Sequence, residues 1–328
     1  MQPFSYDEHF SVRAASGSLA SIWHASRRTE APHLVYDILL KPWLALFGTS
    51  HWAARLPSVL SGALAASVTT LLGTRLFGRA AGLVAGLTLA TASFFVAWSQ
   101  TARGDSASTL LAVVATYLFV CAVEAPSRRL WLAWSVAVIA AAWMSLFAVS
   151  VLGAHVLALV SLRRRIRWSE PLLALAVIAV GVIPIVVLVG TGNNGQLDWI
   201  QTPTPRLVAT GIWDWSSRNP ILLLAAAVGL AALLTGRAPR SEPWKALLLG
   251  GWALAPTVLT LVLSAVQPAF VAQYLLSALP ALALLAGAGV VSLRRNPALL
   301  LAALLAVAAA VRLAQHYVGP GTPIRSIF

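Results

Sequence analysis

Two adjacent carboxylates, Asp7 and Glu8, stand near the start of a chain in which only 10% of the residues are charged. A carboxylate can abstract a proton from a hydroxyl group. Arginines such as Arg55 and Arg103 can hold a phosphate group through several N–H donors. Because both kinds of chemistry need the side chains to meet, the elements that carry them decide whether this is a site.

Each of these residues also has a simpler interpretation, and the sequence leaves both open. The acid pair suits a solvated terminus, while Arg55 and Arg103 suit cations that snorkel from the ends of membrane spans. Asp105 suits the N-cap of the span that follows it. His33 suits an isolated structural histidine, and Trp199 an aromatic residue at the membrane interface. A functional interpretation is favoured only by their convergence on one side of the membrane.

The composition indicates an all-α, polytopic integral membrane protein, since 59% of the 328 residues are hydrophobic. Runs without charge are long enough to cross a bilayer. Two of them are too long for one helix and require two spans each. About ten transmembrane helices are therefore predicted, in the runs Leu56–Thr74, Ala80–Ala102, Ser106–Val123, Leu130–Leu162, Pro171–Gly190, Pro220–Thr235, Ala246–Leu293 and Asn296–Val311.

The distribution of charge orients the chain. Most arginines lie in short turns such as Arg163–Arg167, which the positive-inside rule places in the cytoplasm, while most acids fall on the outer face. The high pI reflects these turns and not nucleic-acid binding. The predicted divisions of one membrane domain are an outer catalytic loop with an interfacial helix (1–51), an N-terminal transmembrane bundle (52–190), an outer loop (191–218) and a C-terminal bundle (219–328).

Two outer segments carry recognisable local patterns. In "HLVYDILLKPWLALF", apolar residues recur at helical spacing, which predicts a helix lying in the membrane interface. The segment 191–219 is rich in Gly, Asn, Pro and Trp, which predicts a loop at the headgroup level. We expect the outer loops to form a small cap over a cavity. Cys121, the single cysteine, excludes an intramolecular disulfide.

Several phrases together resemble the GT-C superfamily of membrane glycosyltransferases that use polyprenyl-phosphate sugars. The resemblance is to the protein mannosyltransferases and aminoarabinose transferases, of the glycosyltransferase family 39 type. The phrases that carry it, in chain order, are "YDEHFS", "EAPHLVYDILLKPWLALFG", "HWAARLPSVLSGAL", "RLFGRAAGLVAGLTLATASFFVAWSQTARGDS", "QLDWIQTPTP" and "PAFVAQYLLSALPALALLAG".

The resemblance implies an inverting glycosyltransferase that moves a sugar, mannose or similar, from a polyprenyl-phosphate carrier to an acceptor hydroxyl. The first acid of the pair, Asp7, would deprotonate the acceptor, with Glu8 beside it. The remaining candidate residues divide into donor phosphate ligands and acceptor or sugar ligands. The phosphate ligands would be Arg103, Arg55 and Lys41, and the acceptor or sugar ligands Glu30, His33, Asp105 and Trp199.

The implied partners are the polyprenyl-phosphate sugar donor, a glycan, lipid or protein acceptor, and membrane lipid, without nucleic acid. The expected location is the plasma membrane of the cell envelope, with the catalytic loops on the extracytoplasmic face. No cofactor is implied with certainty; a divalent cation is compatible with the superfamily, but the sequence shows no metal ligand set.

Three departures from the family pattern stand out. The family has a span before its acid motif, so the first transmembrane helix is expected to be missing from this chain. Gln273 stands where relatives commonly carry arginine, and Asp105 lies in an "ARGDS" turn. The alternatives are a catalytically inactive membrane scaffold descended from the family, or a lipid or solute transporter. The nearly charge-free spans argue against the transporter, which would carry ionisable groups at mid-membrane.

Overall fold

The chain folds as a bundle of α-helices with short 3₁₀ segments. A computed structural model describes residues 4–25, 34–191 and 199–318, and within these ranges there is no β-strand. The expectation of an all-α membrane protein is therefore confirmed.

Three short helices gather at one end of the bundle: α1 (Tyr6–Ser16), α2 (Leu19–Ala25) and α3 (Leu34–Phe47). A capping box starts α1, because the Ser5 hydroxyl accepts from the backbone N–H of Glu8 while the Glu8 carboxylate accepts from the N–H of Ser5. This cap therefore fixes the positions of Asp7 and Glu8 in the first turn of α1.

Helix α3 has one face in the protein and one face exposed. Tyr36, Leu40 and Leu44 are buried, whereas Leu39 and Leu46 are more than half exposed. This division agrees with the apolar periodicity of the segment. Its position in a membrane interface stays a prediction.

A proline explains how α3 docks on helix α4 (His51–Phe77). Pro57 lies inside α4 and has no N–H to donate to the carbonyl of Ala53, one turn earlier. The indole Nε1 of Trp43, on α3, donates to that carbonyl at 2.8 Å. The helix therefore stays unbroken at Pro57, and α3 gains a polar contact with it.

In the part of the chain that the structure describes, the bundle continues through eleven further helices. Their bounds are α5 (Arg79–Thr91), α6 (Ser93–Ser99), α7 (Asp105–Glu124), α8 (Arg128–Met144), α9 (Val151–Ser161), α10 (Ser169–Thr191), α11 (Pro205–Trp215), α12 (Pro220–Leu234), α13 (Pro243–Leu263), α14 (Leu279–Ser292) and α15 (Arg295–Val318). Two 3₁₀ segments, Leu146–Ser150 and Ala272–Ala278, lead into α9 and α14.

Within the described ranges, six helices are long and apolar enough to cross a membrane, or up to eight if each of two bent pairs is one span. The predicted count of about ten is therefore not confirmed. The difference arises at 128–161, where the predicted pair of crossings forms two shorter helices. Ser145 and the 3₁₀ segment separate them.

The two bent pairs touch each other at their breaks. The pair α5–α6 bends by 61° around Ala92, and α11–α12 bends by 89° around Ser216–Asn219. At the second break Ser217 has a positive φ of 61°, and its hydroxyl accepts from the N–H of Phe94 at 3.3 Å. A break in one span is thus stabilised by a side chain from a break in another.

Small residues allow the central helices to approach closely. A Cβ on Gly229 of α12 would lie 1.9 Å from the carbonyl oxygen of Leu285 on α14. A Cβ on Gly289 would lie 2.3 Å from the carbonyl oxygen of Ala225. Such contacts favour helix association where apolar lipid surrounds the protein. Helix α14 is accordingly central, whereas α15 is mostly exposed on the outside of the bundle.

The end opposite α1–α3 carries ion pairs between the predicted cytoplasmic turns. Arg75, at the end of α4, bonds Glu124, at the end of α7, at 2.7 Å. Arg165 lies 3.1 Å from Glu242. Because the C-terminal ends of α4 and α7 meet here, the two helices run parallel, and their N-terminal ends meet beside α1. That meeting point holds the candidate site.

Candidate active site

Glu8 is buried and fully engaged by other parts of the chain. Its Oε1 accepts from Arg55 Nε at 2.7 Å and from the N–H of Ala102 at 3.0 Å. Its Oε2 accepts from Arg55 Nη2 at 2.8 Å and from the N–H of Ser5 at 2.9 Å. Burial would raise the pKa of Glu8, but the hydrogen bonds from Arg55 and the two amides prevail and lower it. Glu8 therefore joins α1, α4 and the turn before α7.

Asp7, its neighbour, has a different environment. The side chain of Asp7 is 22% exposed, against 2% for Glu8. Its Oδ2 lies 3.3 Å from Nη1 of Arg103. Asp7 is therefore the acid of the pair that an external hydroxyl can reach, and it lies beside a cation.

Arg103 lies between two carboxylates. Besides its contact with Asp7, its Nε lies 3.8 Å from Oδ2 of Asp105. Both Arg103 and Asp105 are more than nine-tenths buried. Within the described residues, that Asp105 oxygen accepts no hydrogen bond. The two acids and the arginine form a compact charged group at the N-terminal end of α7.

Asp105 does not cap α7, contrary to the simpler interpretation. The N-cap position belongs to Gly104, and no side-chain cap hydrogen bond is found there among the described residues. The carbonyl of Asp105 instead accepts from the hydroxyls of Ser108 and Thr109, at 2.8 and 2.9 Å. Its carboxylate is therefore left to face Arg103.

The turn that carries Arg103 is held by residues that the sequence analysis did not select. The hydroxyl of Ser58 donates to the carbonyl of Arg103 at 2.9 Å and lies 3.1 Å from the hydroxyl of Tyr36. Ser106 donates to the carbonyl of Ser58 at 2.8 Å. Burial raises the pKa of Tyr36 above its usual range, so this phenol keeps its proton. The serine in the "RLPS" phrase was the available signal.

The other two predicted phosphate ligands contact α1. Arg55 is paired with Glu8, and its guanidinium lies 5.5 Å from the centre of the Phe4 ring. The ammonium of Lys41 donates to the carbonyl of Gly17, at the end of α1. Both cations therefore help to hold the helix that carries Asp7, and their binding of phosphate stays a prediction.

The remaining candidates are Glu30, His33 and Trp199. Glu30 and His33 lie outside the described residues. Trp199 is 47% exposed, in the segment that leads into α11. Within 4–25, 34–191 and 199–318, no three His, Cys, Asp or Glu side chains are grouped so that they could hold a metal ion.

An apolar groove of about 450 Å³ opens between α9 and α10. Aliphatic side chains line it, among them Val149, Leu152, Ile178 and Val182. Its first residues follow Met144 closely in the chain, and the carbonyl of Met144 lies 3.1 Å from where a Cβ on Gly104 would be. Val149, on the groove, therefore lies five residues after a residue that packs against the turn carrying Arg103.

Solved structures share this all-α arrangement of helices. The chain matches ArnT from Cupriavidus metallidurans bound to undecaprenyl phosphate with a TM-score of 0.65 and 20% identity, over 98% of this chain and 62% of that one. It matches the apo state of the same protein with a TM-score of 0.66 and 20% identity, over 97% and 61%. The chain therefore spans somewhat less than two thirds of ArnT.

The family comparison points the same way. Residues 31–188 match the family described as dolichyl-phosphate-mannose-protein mannosyltransferase. A search of curated protein sequences returned no significant match. The family match and the shared fold confirm the resemblance to GT-C polyprenyl-phosphate glycosyltransferases that the sequence phrases indicated.

Proposed function

We propose that this protein is an inverting glycosyltransferase that takes a sugar from a polyprenyl-phosphate carrier. The observation that carries the proposal is the partly exposed Asp7 carboxylate 3.3 Å from the buried Arg103 guanidinium. The family match over 31–188 and the likeness to a protein solved with undecaprenyl phosphate support it. We place the reaction on the outer face of the plasma membrane, because the arginine-rich turns lie at the opposite end of the bundle.

In the proposed reaction, the Asp7 carboxylate accepts the proton of the acceptor hydroxyl. The hydroxyl oxygen then attacks the anomeric carbon from the side opposite the phosphate. The bond between that carbon and the phosphate oxygen breaks, and the polyprenyl phosphate leaves with the electron pair. A single displacement of this kind inverts the anomeric configuration.

Arg103 stabilises the charge that develops on the leaving phosphate. A buried cation acts strongly on such a charge because little water screens it, and its position is set before the reaction begins. Its contact with Asp7 keeps the guanidinium at the site while the donor is absent. Arg55 and Lys41 contribute mainly by holding α1, through Glu8 and the carbonyl of Gly17.

We assign recognition of the acceptor and of the sugar to the other candidate residues. Asp105 has a buried carboxylate oxygen that accepts no hydrogen bond within the described residues, so it suits a hydroxyl donor of the sugar or the acceptor. Glu30 and His33 extend the same outer segment, and Trp199 offers an exposed ring for stacking on a sugar. The donor carries mannose or a similar sugar. The prenyl chain of this donor suits the apolar groove between α9 and α10.

A transfer assay with a matched control tests the proposal. Membranes containing wild type, Asp7→Asn or Asp214→Asn would receive polyprenyl-phosphate donors with radiolabelled sugars. Asp214 is the matched acid because its side chain is also 22% exposed and pairs with one arginine, Arg218. We expect Asp7→Asn to lower transfer by about 10²- to 10⁴-fold, the range for loss of a general base, and Asp214→Asn to leave it unchanged.

The outcomes separate the alternatives. Equal transfer by wild type and Asp7→Asn, at equal protein levels, would remove Asp7 from the mechanism. Absence of transfer by wild type across several donor sugars and acceptors would favour the inactive scaffold over the enzyme.

A further inference from the structure

We propose that Ser58, supported by Tyr36, is a positioning residue that aims Arg103 at the leaving phosphate. The inference rests on the function proposed above and concerns two residues that do not touch the reacting atoms. It starts from the turn 101–105, which carries the guanidinium and has no regular secondary structure before α7 begins.

The turn is held by hydrogen bonds before and after the Arg103 side chain. On one side, the N–H of Ala102 donates to Glu8 on α1 at 3.0 Å. On the other, the carbonyl of Arg103 accepts from Ser58 on α4 at 2.9 Å. All four residues are buried or nearly so, which makes each bond costly to lose. The backbone is therefore held by α1 one residue before Arg103 and by α4 at Arg103 itself.

The direction of the hydrogen bonds assigns Tyr36 its part. A serine hydroxyl has one proton, and that of Ser58 goes to the carbonyl of Arg103. The contact of 3.1 Å between the two hydroxyls therefore has Tyr36 as donor and Ser58 as acceptor. Because the Tyr36 phenol keeps its proton, Tyr36 on α3 donates to Ser58 on α4, and Ser58 donates to the carbonyl of Arg103 in the turn.

Close packing prevents the turn from finding another position easily. A Cβ on Gly104 would lie 3.1 Å from the carbonyl of Met144 and 3.4 Å from the Cβ of Tyr36. Ser106, on the far side, donates to the carbonyl of Ser58. Without the Ser58 hydroxyl the carbonyl of Arg103 would lose its partner, and the turn would rotate toward another donor. A displacement of about 1 Å at a reacting group can cost about 100-fold in rate.

The test compares Ser58→Ala with Ser61→Ala. Ser61 is the matched control because it lies on the same helix and its hydroxyl donates only locally, to the carbonyl of Pro57 at 2.8 Å. Transfer kinetics would be measured with polyprenyl-phosphate sugar as the varied substrate. We expect Ser58→Ala to lower kcat by about 10- to 100-fold while the donor KM changes less than threefold, since an aiming defect acts on the transition state. Ser61→Ala should match wild type.

Tyr36→Phe provides a second variant should Ser58→Ala fold poorly. It removes one hydroxyl and keeps the ring over Gly104, so we expect a smaller loss of kcat, about 3- to 10-fold. Wild-type kcat in both variants would overturn the proposal. A raised donor KM with unchanged kcat would overturn it as well, because Ser58 would then serve ground-state binding.

Hydrogen exchange separates failure of this inference from failure of the proposed function. Deuterium uptake of the peptide covering 100–106 should be at least tenfold faster in Ser58→Ala than in wild type or Ser61→Ala. If wild type transfers no sugar, the proposed function fails, while the exchange rates still show whether Ser58 fastens the turn. Equal exchange in all variants would refute the fastening itself.

Discussion

Asp7 and Glu8 are adjacent, yet the structure predicts opposite consequences for their substitution. Changing Glu8 to Gln leaves the shape but puts an amide where the guanidinium of Arg55 now meets a carboxylate. Changing Asp7 to Asn alters an acid whose ion pair within the described residues, with Arg103, is 3.3 Å long. We therefore expect Glu8→Gln to destabilise the fold and Asp7→Asn to stop transfer with little effect on folding.

The magnitudes follow from burial and from the number of partners. Breaking a buried ion pair by removing one member costs about 3–5 kcal/mol. Because the side chain of Arg55 is 19% exposed and keeps some water, we expect about 3 kcal/mol for Glu8→Gln. The Asp7 carboxylate is 22% exposed and its contact with Arg103 is 3.3 Å long, and Arg103 keeps Asp105 as a second partner, so we expect about 1 kcal/mol for Asp7→Asn.

The assay is thermal unfolding in one detergent at pH 7, monitored by tryptophan fluorescence. For a chain of this size about 1 kcal/mol corresponds to roughly 2 °C, so Glu8→Gln should lower the Tm by about 6 °C and Asp7→Asn by about 2 °C. The double variant Glu8→Gln with Arg55→Gln should lose less than the sum of the single changes, by about 1–3 kcal/mol. A larger fall for Asp7→Asn than for Glu8→Gln would refute the division of roles.

Three further predictions follow from features at and away from the site. The lowered pKa of Glu8 means that its stabilisation is present above its usual pKa of about 4.5 and is lost as pH falls through the lowered value, so the Tm gap between wild type and Glu8→Gln should be constant from pH 8 to 5 and narrow as the pH falls below 4.5. Gly229→Ala should prevent stable folding because its Cβ would meet a carbonyl at 1.9 Å, whereas Gly153→Ala, with nothing within 4 Å, should keep or raise the Tm. Trp134→Phe should lower the Tm by several degrees, because the indole donates to the fully buried His155 Nδ1 at 3.1 Å and that nitrogen would be left without a donor.

The fold class could be predicted from charge-free runs, but the bends could not. The run Ala80–Ala102 reads as one continuous span, yet its helices break at Ala92, where no proline or glycine marks the place. Pro57 and Pro256, which do mark a possible break, lie inside continuous helices. Partners from other helices decide where a membrane helix breaks, and a single sequence does not contain that information.

The candidate site was predictable in its residue types and less so in their roles. The sequence indicated the acids and arginines, and the structure brings Asp7, Arg103 and Asp105 together. It could not indicate that Glu8 binds the amide of Ala102, since a backbone N–H has no signature in the sequence. Ser58 escaped selection for a related reason: its acceptor is a carbonyl, which every residue carries.

The partners of Glu8 also set an order in biosynthesis. Arg55 lies 47 residues later in the chain and Ala102 lies 94 residues later. At about 5–20 residues per second, roughly 5 to 20 s pass between the synthesis of α1 and that of its last partner. During this time the Glu8 carboxylate stays hydrated, without Arg55 or Ala102 as partner, until the two spans that follow α1 in the chain have been inserted. Assembly of the candidate site therefore follows the insertion of both spans, although the acid pair precedes them in the chain.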